Sequence, residues 1–188
     1  MKKDLIIALK LGSICLVAVL LLSIVNLFTD KKIKLSNQLK MEAANKELFA
    51  DGVTFKKNHF NKNNELSDEF YFEVYNSTQK MIGYITLING TGFGGEIALL
   101  IAFEKNLKIK NIKLLKNSET PGFGKKWENQ KSMDMFVNTN TDDKPFPIKK
   151  SMVSPEFLNT PDGVTGATIT FNGITEAVAR AISLMKQL

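Results

Sequence analysis

The sequence predicts an α+β fold, in which antiparallel β-hairpins form a sheet packed with helices, preceded by one N-terminal transmembrane helix. Three observations predict it: a long uncharged apolar run near the start, two pairs of aromatic and β-branched runs that each surround a turn, and an apolar pattern with helical spacing at the end. A chain of 188 residues has room for one such domain and an appended segment.

The apolar run covers residues 11–29 and contains no charged side chain. A membrane-spanning helix needs about 20 such residues, whereas a cleaved signal peptide has a shorter apolar stretch followed by a small-residue cleavage site. Residues 1–10 form a short segment before the span, and residues 30–50 are expected to form a separate linker helix with Ser36 as its N-cap. Lysines lie on both sides of the span, so charge alone leaves the topology open.

The domain predicted for residues 51–188 contains two hairpins. The first has its turn at residues 76–79 and the second at residues 104–106. Before them, residues 58–64 are expected to form a polar loop. Helical patterns return near residues 125–136 and from Thr170 to the end, with the start of the last helix expected between Thr168 and Thr170.

Several classes of function are disfavoured by the composition. The net charge is +6, but Arg180 is the only arginine, which disfavours nucleic-acid binding. His59 is the only histidine, so a Ser-His-Asp triad or a histidine metal cluster is not expected. We therefore predict no catalytic residue and no metal ligand.

The segment "GTGFGG", residues 90–95, matches the Gly-x-Gly-x-x-Gly pattern of dinucleotide-binding loops. Such a loop belongs to a strand-turn-helix unit, whereas this segment lies between two hairpins. We interpret it as a glycine-rich turn or bulge between closely approaching strands.

Ordinary turn and helix-cap chemistry explains two other segments less well. "NSETPGFGKKW", residues 117–127, places Phe123 between two glycines in a polar turn. "PDGVTGATIT", residues 161–170, precedes the last helix, where unpaired N–H groups and the helix dipole favour a phosphate. Thr168 or Thr170 could also simply cap that helix, and both interpretations stay open on this evidence.

These motifs together resemble a known family. "DGVTGAT", residues 162–168, resembles the flavinylation motif of the FMN-binding domain in the G subunit of the Rnf electron-transport complex and in the C subunit of the sodium-translocating NADH:quinone reductase. "TGFGGEI", "SETPGFG", Trp127 and Phe136 extend the resemblance in the same order. The sequence differs from the usual pattern at Phe93, where tyrosine is common, and at Phe123, where leucine is common.

The resemblance implies a covalent FMN, joined through its phosphate to the hydroxyl of Thr168. It also implies that Asp162 and Gly166 are read by a flavin transferase, which draws FMN from FAD, and that Thr165 and the N–H groups of Ala167 and Thr168 hold the phosphate. The segment implied to line the flavin ring contributes Ser118, Glu119, Thr120, Gly122, Phe123 and Gly124.

The same resemblance implies an electron-transfer subunit of a multi-subunit translocase rather than a stand-alone enzyme. Its expected partners are the other membrane subunits of an Rnf complex and the flavin transferase. Its expected location is the cell inner membrane, with a single span and the flavin domain on the outer face. The alternatives are a subunit of the quinone-reductase type and a membrane-anchored sensor or adaptor that binds flavin noncovalently.

Overall fold

The structure is a computed structural model that describes residues 2–62, 65–119, 124–147, 152 and 168–188. The chain divides into two compact units, Met1–Glu42 and Ala43–Leu188.

The first unit lies within one long helix, α1 (Lys2–Leu48), whose last residues belong to the second unit. Its segment Leu9–Leu27 is long and apolar enough to cross a membrane. The predicted helix after the apolar run is present as the last part of α1, but the prediction of Ser36 as its N-cap is wrong, because the helix continues through that residue. Residues 30–48 contain no glycine or proline and are mostly good helix formers, so nothing in them ends the helix.

The second unit is built on a five-stranded antiparallel sheet in the order β1-β2-β3-β4-β5. The strands are β1 (Thr54–Lys62), β2 (Glu65–Tyr75), β3 (Met81–Thr91), β4 (Glu96–Glu104) and β5 (Ile109–Asn117). After the sheet come a 3-10 turn (Gly124–Glu128), the short helix α2 (Gln130–Met133), a second 3-10 turn (Asp134–Phe136) and the long helix α3 (Thr168–Met185). The α+β architecture predicted from the sequence is confirmed.

Both predicted hairpin turns are present. In the first, the N–H of Gln79 donates to the carbonyl of Asn76 at 3.0 Å, and in the second the N–H of Glu104 donates to the carbonyl of Lys108 at 2.9 Å. The pattern at residues 125–136 forms three short helical pieces instead of one helix. The last helix begins at Thr168, within the predicted range.

The prediction of a polar loop at residues 58–64 is wrong over its first part, because β1 runs to Lys62 and pairs with β2. An edge strand is held by backbone hydrogen bonds on one side only and can carry polar side chains on its exposed face. Phe60 of β1 is buried in the core. His59 lies in this strand, exposed, with its ring 6.2 Å from that of Phe70.

The sheet is packed on both faces. On one face α3 contributes side chains such as Phe171, Ile174 and Val178 to the larger core. On the other face Leu48, at the end of α1, and the following Phe49 belong to a smaller core. Strand β4 is therefore buried from Ile97 to Phe103 on both faces, which explains its continuous apolar sequence.

Candidate functional site

The described residues of three sequence motifs lie at one end of the sheet. Thr91 at the end of β3 pairs with Glu96, and the adjacent Ile97 pairs with Asn117 at the end of β5. The turn between β3 and β4 and the segment that follows β5 are therefore neighbours.

Helix α3 reaches the same end of the sheet by packing tightly on β3. A Cβ added at Gly90 would lie 2.7 Å from the carbonyl oxygen of Gly173 and 3.1 Å from the Cβ of Ala177. A Cβ added at Gly173 would lie 2.1 Å from the carbonyl oxygen of Thr91. Because Gly90 faces Gly173 and Ala177 while Thr91 faces Gly173, α3 runs antiparallel to β3. Its first turn consequently extends past the end of β3, on the side of the turn between β3 and β4.

A buried carboxylate joins the two loops at this end. Glu119 is only 4% exposed, and its Oε1 accepts a hydrogen bond from the N–H of Gly94 at 3.0 Å. Its own N–H donates to Oδ1 of Asn117 at 2.9 Å, and the Asn117 side-chain amide donates to the carbonyl of Gly124 at 3.2 Å. Charged side chains are seldom buried without partners, so this network fixes both loops around one side chain.

Glycines make the space for that carboxylate. A Cβ added at Gly92 would lie 1.9 Å from Oε1 of Glu119, and one at Gly124 would lie 2.4 Å from its Oε2. A Cβ added at Gly94 would lie 2.6 Å from the carbonyl oxygen of Ser118. A Cβ at Gly92 or Gly124 would therefore displace the Glu119 side chain, and one at Gly94 would displace the backbone of the segment after β5.

The turn between β3 and β4 is itself hydrogen-bonded. The N–H of Gly92 donates to the carbonyl of Gly95 at 2.8 Å, and Gly95 has φ +131°, which L side chains rarely adopt. Phe93 stands between these glycines and is 75% exposed. The predicted glycine-rich turn is confirmed, and no helix follows it, so it is not a dinucleotide-binding loop.

Thr168 is the first residue of α3 and is exposed. The N–H groups of the first turn of a helix have no acceptor within the helix and carry the positive end of its dipole. The first turn of α3 contains no acidic residue. The threonine hydroxyl is therefore accessible in surroundings that suit an anion.

Beneath this turn lies an aromatic pair. Phe171, three residues after Thr168, packs on the indole of Trp127, with ring centroids 5.6 Å apart. Trp127 is 2% exposed, and its Nε1 has no hydrogen-bond partner among the described residues. The pair fixes the start of α3 on the segment that follows β5.

The structure describes four of the residues that the sequence predicts for the site. Ser118 is exposed, Glu119 and Gly124 are buried in the network described above, and Thr168 opens α3. The other predicted residues lie outside the described part of the chain: Thr120, Gly122, Phe123, Asp162, Thr165, Gly166 and Ala167.

Residues of "TGFGGEI" also belong to this end of the domain, although the sequence did not predict them as site residues. Phe93 is exposed there, and Gly92 and Gly94 enclose Glu119. The signal in the sequence was a phenylalanine flanked by glycines. The same feature had drawn attention to Phe123.

Known proteins support the resemblance. Residues 92–183 match the sequence model of the FMN-binding domain. The chain is 31% identical over 121 residues to the G subunit of the ion-translocating oxidoreductase complex of Buchnera aphidicola, an alignment that covers 61% of this chain and 56% of that protein. It is 27% identical over 194 residues to the protein of the same name in Shewanella piezotolerans, covering 92% of this chain and 85% of that one.

A third relative is the G subunit of the Na⁺-translocating ferredoxin:NAD⁺ oxidoreductase complex of Acetobacterium woodii. It is 28% identical over 127 residues, which cover 64% of this chain and 58% of that protein. The chain thus matches little more than half the length of some of these relatives.

Solved structures support the fold. The crystal structure of NqrC from Shewanella oneidensis has a TM-score of 0.51 at 21% identity, covering 73% of this chain and 65% of that one. The C subunit of the Na⁺-translocating NADH-quinone reductase from Parabacteroides distasonis has a TM-score of 0.51 at 18% identity, covering 70% of this chain and 75% of that one.

The resemblance predicted from the sequence is confirmed: residues 92–183 match the model of the FMN-binding domain, and the chain is similar to the G subunits of ion-translocating oxidoreductase complexes.

Proposed function

We propose that the protein is a membrane-anchored flavoprotein subunit of an ion-translocating electron-transport complex of the Rnf type, with FMN linked by a phosphoester to Thr168. The observation that carries the proposal is the position of Thr168. It is the exposed first residue of α3, it ends the sequence "DGVTGAT", and it lies within the FMN-binding domain match.

The described residues around Thr168 suit a phosphate-linked flavin. The first turn of α3 contains no acidic side chain, and the positive end of a helix dipole favours a phosphate by about 0.3 to 1 kcal/mol when exposed. Outside the described residues, Thr165 and the N–H group of Ala167 are proposed to hold the same phosphate. A flavin bound there supplies one- and two-electron redox chemistry.

The proposed attachment is a phosphoryl transfer with FAD as donor. The Thr168 oxygen forms a bond to the phosphorus on the flavin side, the phosphoanhydride bond breaks, AMP leaves, and the hydroxyl proton passes to solvent. A flavin transferase would catalyse this step and would recognise Asp162 and Gly166. The exposure of Thr168 is compatible with access by a second enzyme.

Electrons would pass between this flavin and redox centres in neighbouring membrane subunits. We further propose that the protein lies in the inner membrane with its flavin domain on the outer face. Tethering would keep flavin in place where free FMN is scarce, because linkage raises its effective concentration. A single cysteine engineered into the flavin domain should react with a membrane-impermeant maleimide in intact cells. Labelling that appeared only after lysis would contradict this topology.

The attachment is tested by producing the full chain with a flavin transferase, separating it by denaturing electrophoresis, and recording ultraviolet fluorescence and intact mass. The wild-type band should fluoresce and carry the added mass of FMN less water. Thr168→Val should lose both signals, whereas the matched variant Thr170→Val should keep them.

Other results would support a different function. Flavin that colours the native protein but leaves on denaturation would indicate a noncovalent sensor or adaptor. A colourless protein would leave Thr168 as a helix cap only. Retention of the label in Thr168→Val would place the attachment on another residue. Co-purification with the other components of a quinone reductase would favour the alternative of the quinone-reductase type.

A further inference from the structure

The side chain of Phe93 has an unusual position in the domain. At 75% exposure it is the most exposed large hydrophobic side chain among the described residues, including those of the apolar segment Leu9–Leu27. Single exposed hydrophobic residues are common on protein surfaces. What distinguishes Phe93 is how its turn is held and what lies beside it.

The turn that carries Phe93 is fixed on both sides of the residue. Before it, the N–H of Gly92 donates to the carbonyl of Gly95 at 2.8 Å. After it, the N–H of Gly94 donates to Oε1 of the buried Glu119 at 3.0 Å. Because Gly92 and Gly94 are packed against Glu119 and Ser118 with no room for a Cβ, the backbone has little freedom to turn the phenyl ring inwards.

The same turn lies beside the start of α3. Gly173 of α3 contacts Thr91, and α3 runs antiparallel to β3. Thr168 lies five residues before Gly173, which corresponds to about 7.5 Å along the helix axis. Phe93 follows Thr91 by two residues, a reach of at most about 7 Å along the chain. Both residues therefore project from the same end of the domain, and both are exposed.

We propose that Phe93 is the aromatic contact of the flavin ring carried by Thr168, and that the turn fixed by Glu119 serves as its rigid support. This inference rests on the proposed function. An aromatic side chain prefers an offset or edge-to-face arrangement with another flat ring, and the flanking glycines let such a ring approach the backbone closely. The alternative is that a partner protein, and not the flavin ring, covers Phe93.

The proposal is tested by introducing a tryptophan, which quenches flavin fluorescence, in place of Phe93. A photoexcited flavin takes an electron from a tryptophan or tyrosine ring in contact with it, and the electron returns in the dark, so emission falls without net reaction. Phe93→Trp is compared with wild type in the full flavinylated chain in detergent, at equal flavin absorbance. Val53→Trp is the control, because Val53 is 64% exposed and lies just before β1, at the far edge of the sheet from β5.

Flavin emission and its lifetime should fall several-fold in Phe93→Trp and remain unchanged in Val53→Trp. In Phe93→Ala, where no quencher is added, iodide should quench the flavin more strongly than in wild type because one face of the ring loses its cover.

Three results would overturn the proposal in distinguishable ways. Unchanged emission in Phe93→Trp with full flavin content would place the ring elsewhere. Unchanged emission together with loss of assembly with the other membrane subunits would assign Phe93 to a partner surface. Absence of covalent flavin in the wild-type chain would overturn the proposed function as well, and in-gel fluorescence reveals this independently.

Discussion

Gly173 provides a quantitative test of how closely α3 packs on the sheet. In the interior of a helix, replacing glycine with alanine normally stabilises a protein by up to about 1 kcal/mol. In this structure, however, the added Cβ would lie 2.1 Å from the carbonyl oxygen and 2.9 Å from the carbonyl carbon of Thr91. Both are backbone atoms of β3, so no side-chain rotation can relieve the contact.

The two effects oppose each other, and their sizes decide the sign. Inserting a methyl group into a well-packed contact costs about 1 to 3 kcal/mol, and the short distance to backbone places Gly173→Ala at the upper end. After subtraction of the helix-propensity gain, we expect a net loss of about 2 kcal/mol. For a domain of this size, such a loss lowers the melting temperature by about 4 to 8 °C.

The assay is thermal unfolding of the full chain in detergent, followed by the fluorescence of Trp127. This residue is the only tryptophan, and it packs on Phe171 in the first turn of α3. Ser183→Ala is the matched control, because Ser183 is exposed in the same helix and should change the melting temperature little. A melting temperature for Gly173→Ala at or above that of wild type would show that the helix does not approach β3 this closely.

Glu119→Ala should lower the free energy of unfolding by about 1 to 3 kcal/mol, because it leaves the N–H of Gly94 without its acceptor. Hydrogen exchange should become faster at residues 91–95, with a smaller effect in Glu119→Gln. Unchanged exchange in both variants would contradict the network. The pKa of Tyr71 is raised, chiefly by burial and then by Glu73, so its contribution to stability is complete below the ordinary tyrosine pKa of about 10 and is lost as pH rises through its folded-state pKa. Tyr71→Phe should therefore reduce the loss of stability above that pH, and an identical alkaline unfolding curve would refute the assignment.

The elements that the sequence predicted correctly are those whose signals are local. The two hairpins combine β-branched and aromatic runs with turn residues, as at Asn76, whose side chain accepts hydrogen bonds from the N–H groups of Thr78 and Lys80. The apolar spacing of α3 matches its buried face, including Ile174 and Val178. Such patterns depend on neighbours along the chain and can be recognised without knowledge of the tertiary structure.

The wrong predictions concern segments whose local structure depends on the rest of the fold. Strand β1 has lysines and asparagines that are typical of a loop, but backbone pairing with β2 makes it a strand. Ser36 has the chemistry of an N-cap, but the helix that begins at Lys2 continues through it. A propensity to cap determines a helix start only where the preceding residues are not already helical.

The site was predicted in part for the same reason. The position of Thr168 at the start of α3 could be predicted because the apolar spacing of that helix is clear in the sequence, whereas its role in flavin attachment stays a proposal. Glu119 was expected beside the flavin ring, a role that remains a prediction, whereas its burial among Gly92, Gly94 and Gly124 depends on segments that are distant in sequence. The exposure of Phe93 likewise follows only from how the turn between β3 and β4 is held.

The glycines of this turn also explain why the sequence resembles a dinucleotide-binding loop. Gly90 allows α3 to cross β3, Gly92 leaves space for the Glu119 carboxylate, and Gly95 adopts a positive φ. Each glycine of the Gly-x-Gly-x-x-Gly pattern is thus required by packing or by backbone conformation, and none is required by a phosphate. The backbone N–H of Gly92 is bonded to Gly95, and that of Gly94 to Glu119, so neither is free for an anion. The proposed phosphate site therefore stays at the first turn of α3, which begins at Thr168 and contains no acidic residue.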